Sequence, residues 1–314
     1  MKELTRENLA VGDGHEIHVR SYGNPGGIPA LFLHGGPGSG VQESQLGIFD
    51  PSRFHVIAFD QRGAGLSRFD DRFHANTTPH LVADIERIRK RFGIERWMVV
   101  GGSWGATLAL GYATAHADRV GAMVLRAVFL GTRHELERAF LSSLPRFYPQ
   151  LYADFVGLLP EDDRSRVLDA YWDRILDADP AVHRPFSIAW HDTERVLSVL
   201  SPDVPCLSED LSARGDRPLP RTPFIEAHYF RNHCFLDAPL IEQVHRLNGL
   251  PGILIQGRYD LLCPPETSYA VASRWTGSSV RVVSPAGHSM EDQSIRSALA
   301  SAITEMARLM NRRL

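Results

Sequence analysis

From residue 28 to residue 130, short apolar runs alternate with segments of helical periodicity, and the runs end in Gly-rich breaks. Ala30–Leu33 stops at His34-Gly35-Gly36-Pro37-Gly38, Phe54–Phe59 at Asp60-Gln61-Arg62-Gly63-Ala64-Gly65, and Trp97–Val100 at Gly101-Gly102-Ser103-Trp104-Gly105. Between them, Pro79–Phe92 repeats Leu81, Ile85, Ile88 and Phe92 at helical spacing. An Ala/Leu-rich helix is expected after Ser103, then a further apolar strand at Ala122–Phe129. Continuous apolar strands joined by helices predict an α/β fold, a mostly parallel central sheet covered on both faces. Such sheets bind ligands beyond the carboxyl ends of their strands, where these breaks fall. Upstream, residues 15–22 alternate apolar and polar, the pattern of a half-exposed edge strand.

After about residue 131 the strand-like runs vanish and aromatic and acidic residues rise. Leu136, Phe140 and Leu144, then Val167, Ala170 and Tyr171, follow helical spacing, with a loop-like stretch at Pro202–Pro223. The strand pattern returns at Gly252–Gln256, with a turn at Gly257–Asp260 and a helix from about Pro265 to Trp275. Val280–Val283 is the next strand, and a helix from about Ile295 to Leu309 follows. The expected organisation is a core in two parts, 1–131 and 241–314, with a mostly helical cap, 132–240, inserted before the last strands.

Composition narrows the function classes. A net charge of −3 offers no polycation for nucleic acid and no basic face for an anionic membrane. Val120–Leu130, the most apolar stretch, is interrupted by Arg126 and is too short to span a bilayer. Met1–Leu9 holds no apolar core of signal-peptide length. Cys206, Cys234 and Cys263 are scattered, without Cys-x-x-Cys spacing, which argues against a disulfide framework or zinc site and suits a reducing cytoplasm. The Gly-rich loop at 34–38 lacks the Lys-Ser/Thr ending of a phosphate loop. The oligomeric state stays open, a homo-oligomer included.

Gly101, Ser103 and Gly105 form Gly-x-Ser-x-Gly with a strand before and a helix after, the context that gives this motif meaning. A strand turning sharply into a helix strains its turning residue, and glycines on either side leave it room. Serine is a weak nucleophile until a base takes its proton and a third group orients that base. Asp260 lies in the turn after a later strand and His288 after the next. Singly, a loop aspartate reads as a turn former and a histidine after glycine as a surface residue. Together, the order Ser103, Asp260, His288 at matched strand ends is that of the α/β-hydrolase catalytic triad. The backbone N–H of Trp104 and that of Gly36 are the expected oxyanion donors, each worth roughly 3–4 kcal/mol in a transition state.

The segments His34–Gly38, Asp60–Ser67, Gly101–Leu110, Gly257–Asp260 and Gly287-His288 resemble those of the proline iminopeptidases, serine peptidases of the α/β-hydrolase fold. The resemblance implies release of N-terminal proline from short peptides through an acyl-enzyme, without metal or cofactor. It also implies that Glu226, in Phe224–Phe230, holds the substrate's free amino group, with Trp190, Tyr229, Phe230 and Trp104 walling a slot for the pyrrolidine ring. One position departs from the family's pattern: Trp190 is followed by His191 rather than by a second amine-binding glutamate. Asp192, Glu194 or a different recognition of the substrate are the alternatives. An amidase or esterase acting on amino-acid amides or small esters uses the same machinery, and a non-catalytic receptor on this scaffold is a second class. A dehalogenase is disfavoured by serine at the elbow.

Overall fold

The computed structural model describes residues 1–205, 207 and 218–311. Cys206 and residues 208–217, half of the loop expected at Pro202–Pro223, lie outside the described residues. Among these residues the strands form one sheet in the order β1-β2-β4-β3-β6-β7-β8-β9, with the two-residue β5 (Arg68–Phe69) beside β2. The strands are β1 Glu3–Gly12, β2 His15–Gly23, β3 Ile28–Leu33, β4 Phe54–Asp60, β6 Trp97–Ser103, β7 Val120–Val128, β8 Gly252–Gly257 and β9 Ser278–Val283. Pairing is parallel from β4 through β9 and antiparallel at β1–β2 and β2–β4.

Successive side chains of each central strand face opposite layers. Leu31, Leu33, Ile57, Phe59 and Val99 join one buried cluster with α1 (Thr78–Arg91) and α2 (Trp104–Ala115). Ala30, Phe32, Val56, Ala58, Met98 and Val100 join the other, where the last helix presents Ile295, Leu299, Ala302, Ile303 and Met306 at helical spacing. This is the doubly covered α/β arrangement expected from the alternation.

The edge differs from expectation. β2 is an interior strand, not a half-exposed edge, because the N-terminal β1 folds back onto it through Asp13-Gly14. Its His15, His18 and Arg20 are buried as a result. β1 escaped notice because an outermost strand faces solvent and keeps polar residues (Glu3, Arg6, Glu7, Asn8) among its apolar ones.

Between β7 and β8 the described residues hold helices and no strand: α3 Pro149–Gly157, α4 Val167–Ile175, α5 Pro180–Ser198 and α6 Thr222–Arg231, with shorter turns between. Their aromatics stack on one another and continue the buried cluster that covers this face of the sheet. Phe155 stacks on Tyr171 with centroids 3.9 Å apart and Phe140 on Trp190 at 4.3 Å. α6 docks on the sheet's loops, where Ile225 fills the space above Gly38 and Gly63 and the Tyr229 hydroxyl donates to Asn76 Oδ1 (2.9 Å).

The loop after β4 is held by a buried ion pair. Arg62 forks onto Asp84 of α1 at 2.7 and 3.0 Å and donates to the carbonyls of Val11 and Ala75. Removing one partner of such a pair strands the other charge in the interior. Asp84→Ala is expected to lower unfolding free energy by about 3–5 kcal/mol, read from the denaturant midpoint.

Candidate active site

The site begins with a backbone constraint. Ser103 sits at φ 57°, ψ −126°, a sparsely populated conformation costing on the order of 1–3 kcal/mol. What enforces it is the packing of three backbones. A methyl on Gly101 would overlap the carbonyl of Gly105, and one on Gly105 would overlap the carbonyl of Leu33 in β3. The two glycines therefore clear space for main chain, not for each other's side chains. α2 starts immediately after Ser103, so its first N–H groups, Trp104 included, have no partner within the helix.

The loop at 34–38 is fastened beside this elbow. A Cβ on Gly35 would lie 3.8 Å from Ser103 Cβ. Buried Gln61 joins the two elements: its Nε2 donates to the His34 carbonyl (3.0 Å) and its Oε1 accepts from Trp104 Nε1 (2.8 Å). His34 Nε2 accepts from the Gln61 N–H (3.0 Å) and its Nδ1–H donates to the Gly35 carbonyl (2.9 Å). That pattern fixes the neutral tautomer, and burial lowers the His34 pKa accordingly.

Asp260 and His288 meet beyond the ends of β8 and β9. His288 Nδ1–H donates to Asp260 Oδ2 at 2.9 Å, while Asp260 Oδ1 accepts from the N–H groups of Leu262 (3.0 Å) and Cys263 (2.8 Å). The carboxylate is thus buried, oriented and held acceptor-only. A side chain at Gly257 would overlap the Gly287 carbonyl, so the two loops approach in bare backbone contact. Ser103, Gly36 and His288 line one chamber of about 420 Å³. Ser103 and Gly36 also line a small pocket of about 30 Å³ walled by Phe129, Leu136, Phe140, Phe230, Leu262 and Cys263. Ser103 stands where the two spaces join.

A pair of carboxyl groups closes the other side. Glu226 of α6 is wholly buried and accepts from Trp190 Nε1 at 2.9 Å, while no donor among the described residues reaches its Oε1. Glu194 of α5 lies against it and lines both spaces. Burial lifts both carboxyl groups above the ordinary carboxylate range, and for Glu226 the neighbouring charge of Glu194 lifts it further. Glu194 follows Trp190 by four residues, so both project from one face of α5. The second carboxyl group comes from that helical spacing and not from position 191. His191 lines the chamber instead, and Asp192 is buried with Oδ1 3.2 Å from His191 Nδ1.

The aromatic residues divide. Phe230 lines the small pocket. Trp190, Tyr229 and Trp104 are fully buried and are not among the residues lining the two spaces described. Trp190 reaches the site through its indole N–H on Glu226, and Trp104 packs edge-on to Tyr229 (4.7 Å) behind the elbow. Phe129, Leu136 and Phe140 take the walling role, and as members of apolar runs they carry no sequence signal that separates them from core. Arg126 of β7 also lines the chamber and donates from Nη1 to the His288 carbonyl. A charge interrupting an otherwise apolar strand was the available sign.

The alpha/beta hydrolase fold family matches residues 29–292. A proline iminopeptidase from Arabidopsis thaliana is 36% identical over 306 residues, covering 96% of this chain and 80% of its own. One from Neisseria meningitidis serogroup B is 37% identical over 303 residues, covering 95% and 94%. Among solved structures, the proline iminopeptidase of Mycobacterium smegmatis superposes with a TM-score of 0.62 at 20% identity, covering 97% and 99%.

Cys263 borders the small pocket next to Ser103, and burial raises its thiol pKa well above the usual value. Only the thiolate reacts, so N-ethylmaleimide is expected to block the pocket slowly at neutral pH and faster as pH rises. Hydrolysis of a nitrophenyl ester follows the inactivation. Cys263→Ser is expected to abolish it, and inactivation persisting in that variant would contradict the placement.

Proposed function

The chain belongs to the proline iminopeptidase family of the α/β-hydrolase fold, and on that premise we propose that it is a serine aminopeptidase releasing N-terminal proline, or another small residue, from short peptides. The observation that carries this reading is the buried Glu226–Glu194 pair beside Ser103. An esterase has no use for two desolvated carboxyl groups at its nucleophile, whereas an aminopeptidase must bind a cationic terminus. Charge-assisted hydrogen bonds from a secondary ammonium satisfy the open Glu226 Oε1, and its single positive charge offsets one carboxylate of the pair while the other carboxyl group keeps its proton. The residues 132–240 act as a cap in this account, supplying both glutamates above the core segments 1–131 and 241–314.

With the amine so held, the pyrrolidine ring enters the small pocket between Phe129, Phe140 and Phe230. Its carbonyl carbon then faces Ser103 Oγ. Ser103 attacks, and His288 Nε2 takes the hydroxyl proton while Asp260 holds the opposite nitrogen protonated and steadies the imidazolium. The carbonyl oxygen, now negative, receives the N–H groups of Trp104 and Gly36, held in mutual position through Gln61. Collapse of the tetrahedral intermediate breaks the C–N bond, and His288 delivers its proton to the departing amine. Water repeats the sequence on the prolyl ester, freeing proline and Ser103. The scattered cysteines suit the cytoplasm as the place of action, and Cys234 and Cys263 are both unpaired.

A fluorophosphonate is expected to label Ser103, with labelling lost in Ser103→Ala. Prolyl-nitroanilide is expected to be cleaved and its N-acetyl derivative not. Cleavage of a nitrophenyl ester with no turnover of prolyl-nitroanilide would favour an esterase and overturn the peptidase reading.

The carboxyl pair also sets a pH dependence. Ammonium binding requires one ionised carboxylate in the pair, and both pKa values are raised, so kcat/KM for the anilide is expected to fall on the acid side as that last carboxylate protonates. Glu194→Gln removes the neighbouring charge and lets the Glu226 pKa drop. The acid limb then moves to lower pH, while the plateau falls by about 100-fold, equivalent to roughly 2.7 kcal/mol.

A further inference from the structure

Arg126 is a buried cation that no carboxylate among the described residues pairs with directly. Among the described residues no carboxylate lies within ion-pair distance of it, and its Nε meets no acceptor. Asp260 influences it only from farther away and is already committed to His288. Among the described residues its hydrogen bond runs from Nη1 to the His288 carbonyl. Arg62, also buried, shows how this chain treats a structural arginine: a two-pronged bond to Asp84, a second carboxylate at Asp13 (3.2 Å) and main-chain carbonyls on the rest. An arginine cannot shed its proton to relieve burial, so an unpaired one is costly unless a ligand completes it.

Its location names the ligand. Arg126 lines the 420 Å³ chamber and a small extension of about 20 Å³ that it shares with Gln45 and Met290. A methyl on Gly102, the residue before Ser103, would come within 2.7 Å of the guanidinium. The leaving amine must receive its proton from His288, so the leaving half of the substrate lies on the His288–Arg126 side. One residue beyond the scissile bond is therefore within reach of this cation. Arg195 and Arg296 line the same chamber, as do Glu194, Glu226 and Glu291, and its volume is that of a small-ligand site.

We propose that Arg126 receives the free C-terminal carboxylate of the residue leaving from a Pro-Xaa dipeptide, making this site selective for dipeptides over amidated or longer chains. The proposal rests on the peptidase reading above. The carboxylate completes the guanidinium with the planar two-point geometry that arginine offers, while Nη1 keeps its hold on the His288 loop.

The test compares kcat/KM for Pro-Gly, Pro-Gly-amide and prolyl-nitroanilide in the wild-type enzyme, Arg126→Met and Arg126→Lys. Wild type is expected to favour Pro-Gly over its amide by about 10–100-fold, the range of a charge-assisted hydrogen bond. In Arg126→Met that ratio collapses toward one, chiefly through KM for Pro-Gly, and Arg126→Lys restores part of it. Loss of the His288 brace lowers all three substrates together and leaves the ratio untouched, so a uniform fall overturns the proposal. Equal wild-type rates on Pro-Gly and its amide overturn it without any variant, whether or not Arg126→Met folds. Absence of turnover on all three, with a nitrophenyl ester still cleaved, sinks the peptidase reading itself.

Discussion

Everything at this site depends on how closely unadorned backbones approach at the carboxyl edge of the sheet. Gly101 against Gly105, Gly105 against Leu33 and Gly257 against Gly287 are contacts that a single methyl would prevent. Their effect is to bring three loops, distant in sequence, within side-chain reach. The strained conformation of Ser103 is a product of the same crowding, since the strand must become a helix with no residue to spare. The geometry of this site is held by exclusion before any hydrogen bond is counted.

Hydrogen bonds then remove the remaining freedom. Gln61 ties the 34–38 loop to Trp104, and His34, held neutral, braces the same loop from within. Arg126 ties the β7 strand to the carbonyl of His288. These residues lie beneath the proposed catalytic groups and position them. Buried polar side chains are costly unless satisfied, so the burial of Gln61 and His34, both hydrogen-bonded to the loops they join, reflects the need for a fixed frame.

The sheet from β3 to β9 was legible because buried parallel strands are short, apolar and closed by glycine. β1 was not, since an outer strand retains polar side chains and its pairing partner alone gives it away. Asp260 and His288 could be placed by order along the chain, because strand ends in this topology share one edge. The helical segment gave up less. Periodicity locates a helix but does not tell which aromatic lines a cavity and which supports it, as Phe230 and Trp190 demonstrate. Glu194 stood only as one alternative beside Asp192 for a related reason. Adjacency in sequence directs attention to position 191, whereas on a helix the neighbour of Trp190 is four residues on.

The position of Ser103 between a cramped pocket and a roomy chamber has a consequence for the second half of the proposed cycle. Once the acyl group plugs the smaller space, the nucleophile that regenerates the serine must enter from the larger one. That volume is vacated only when the first product has diffused away. Departure and deacylation are thereby ordered in time, and any amine lingering in the chamber competes with water for the ester. The partition between hydrolysis and resynthesis of a peptide bond is accordingly governed by occupancy of one compartment.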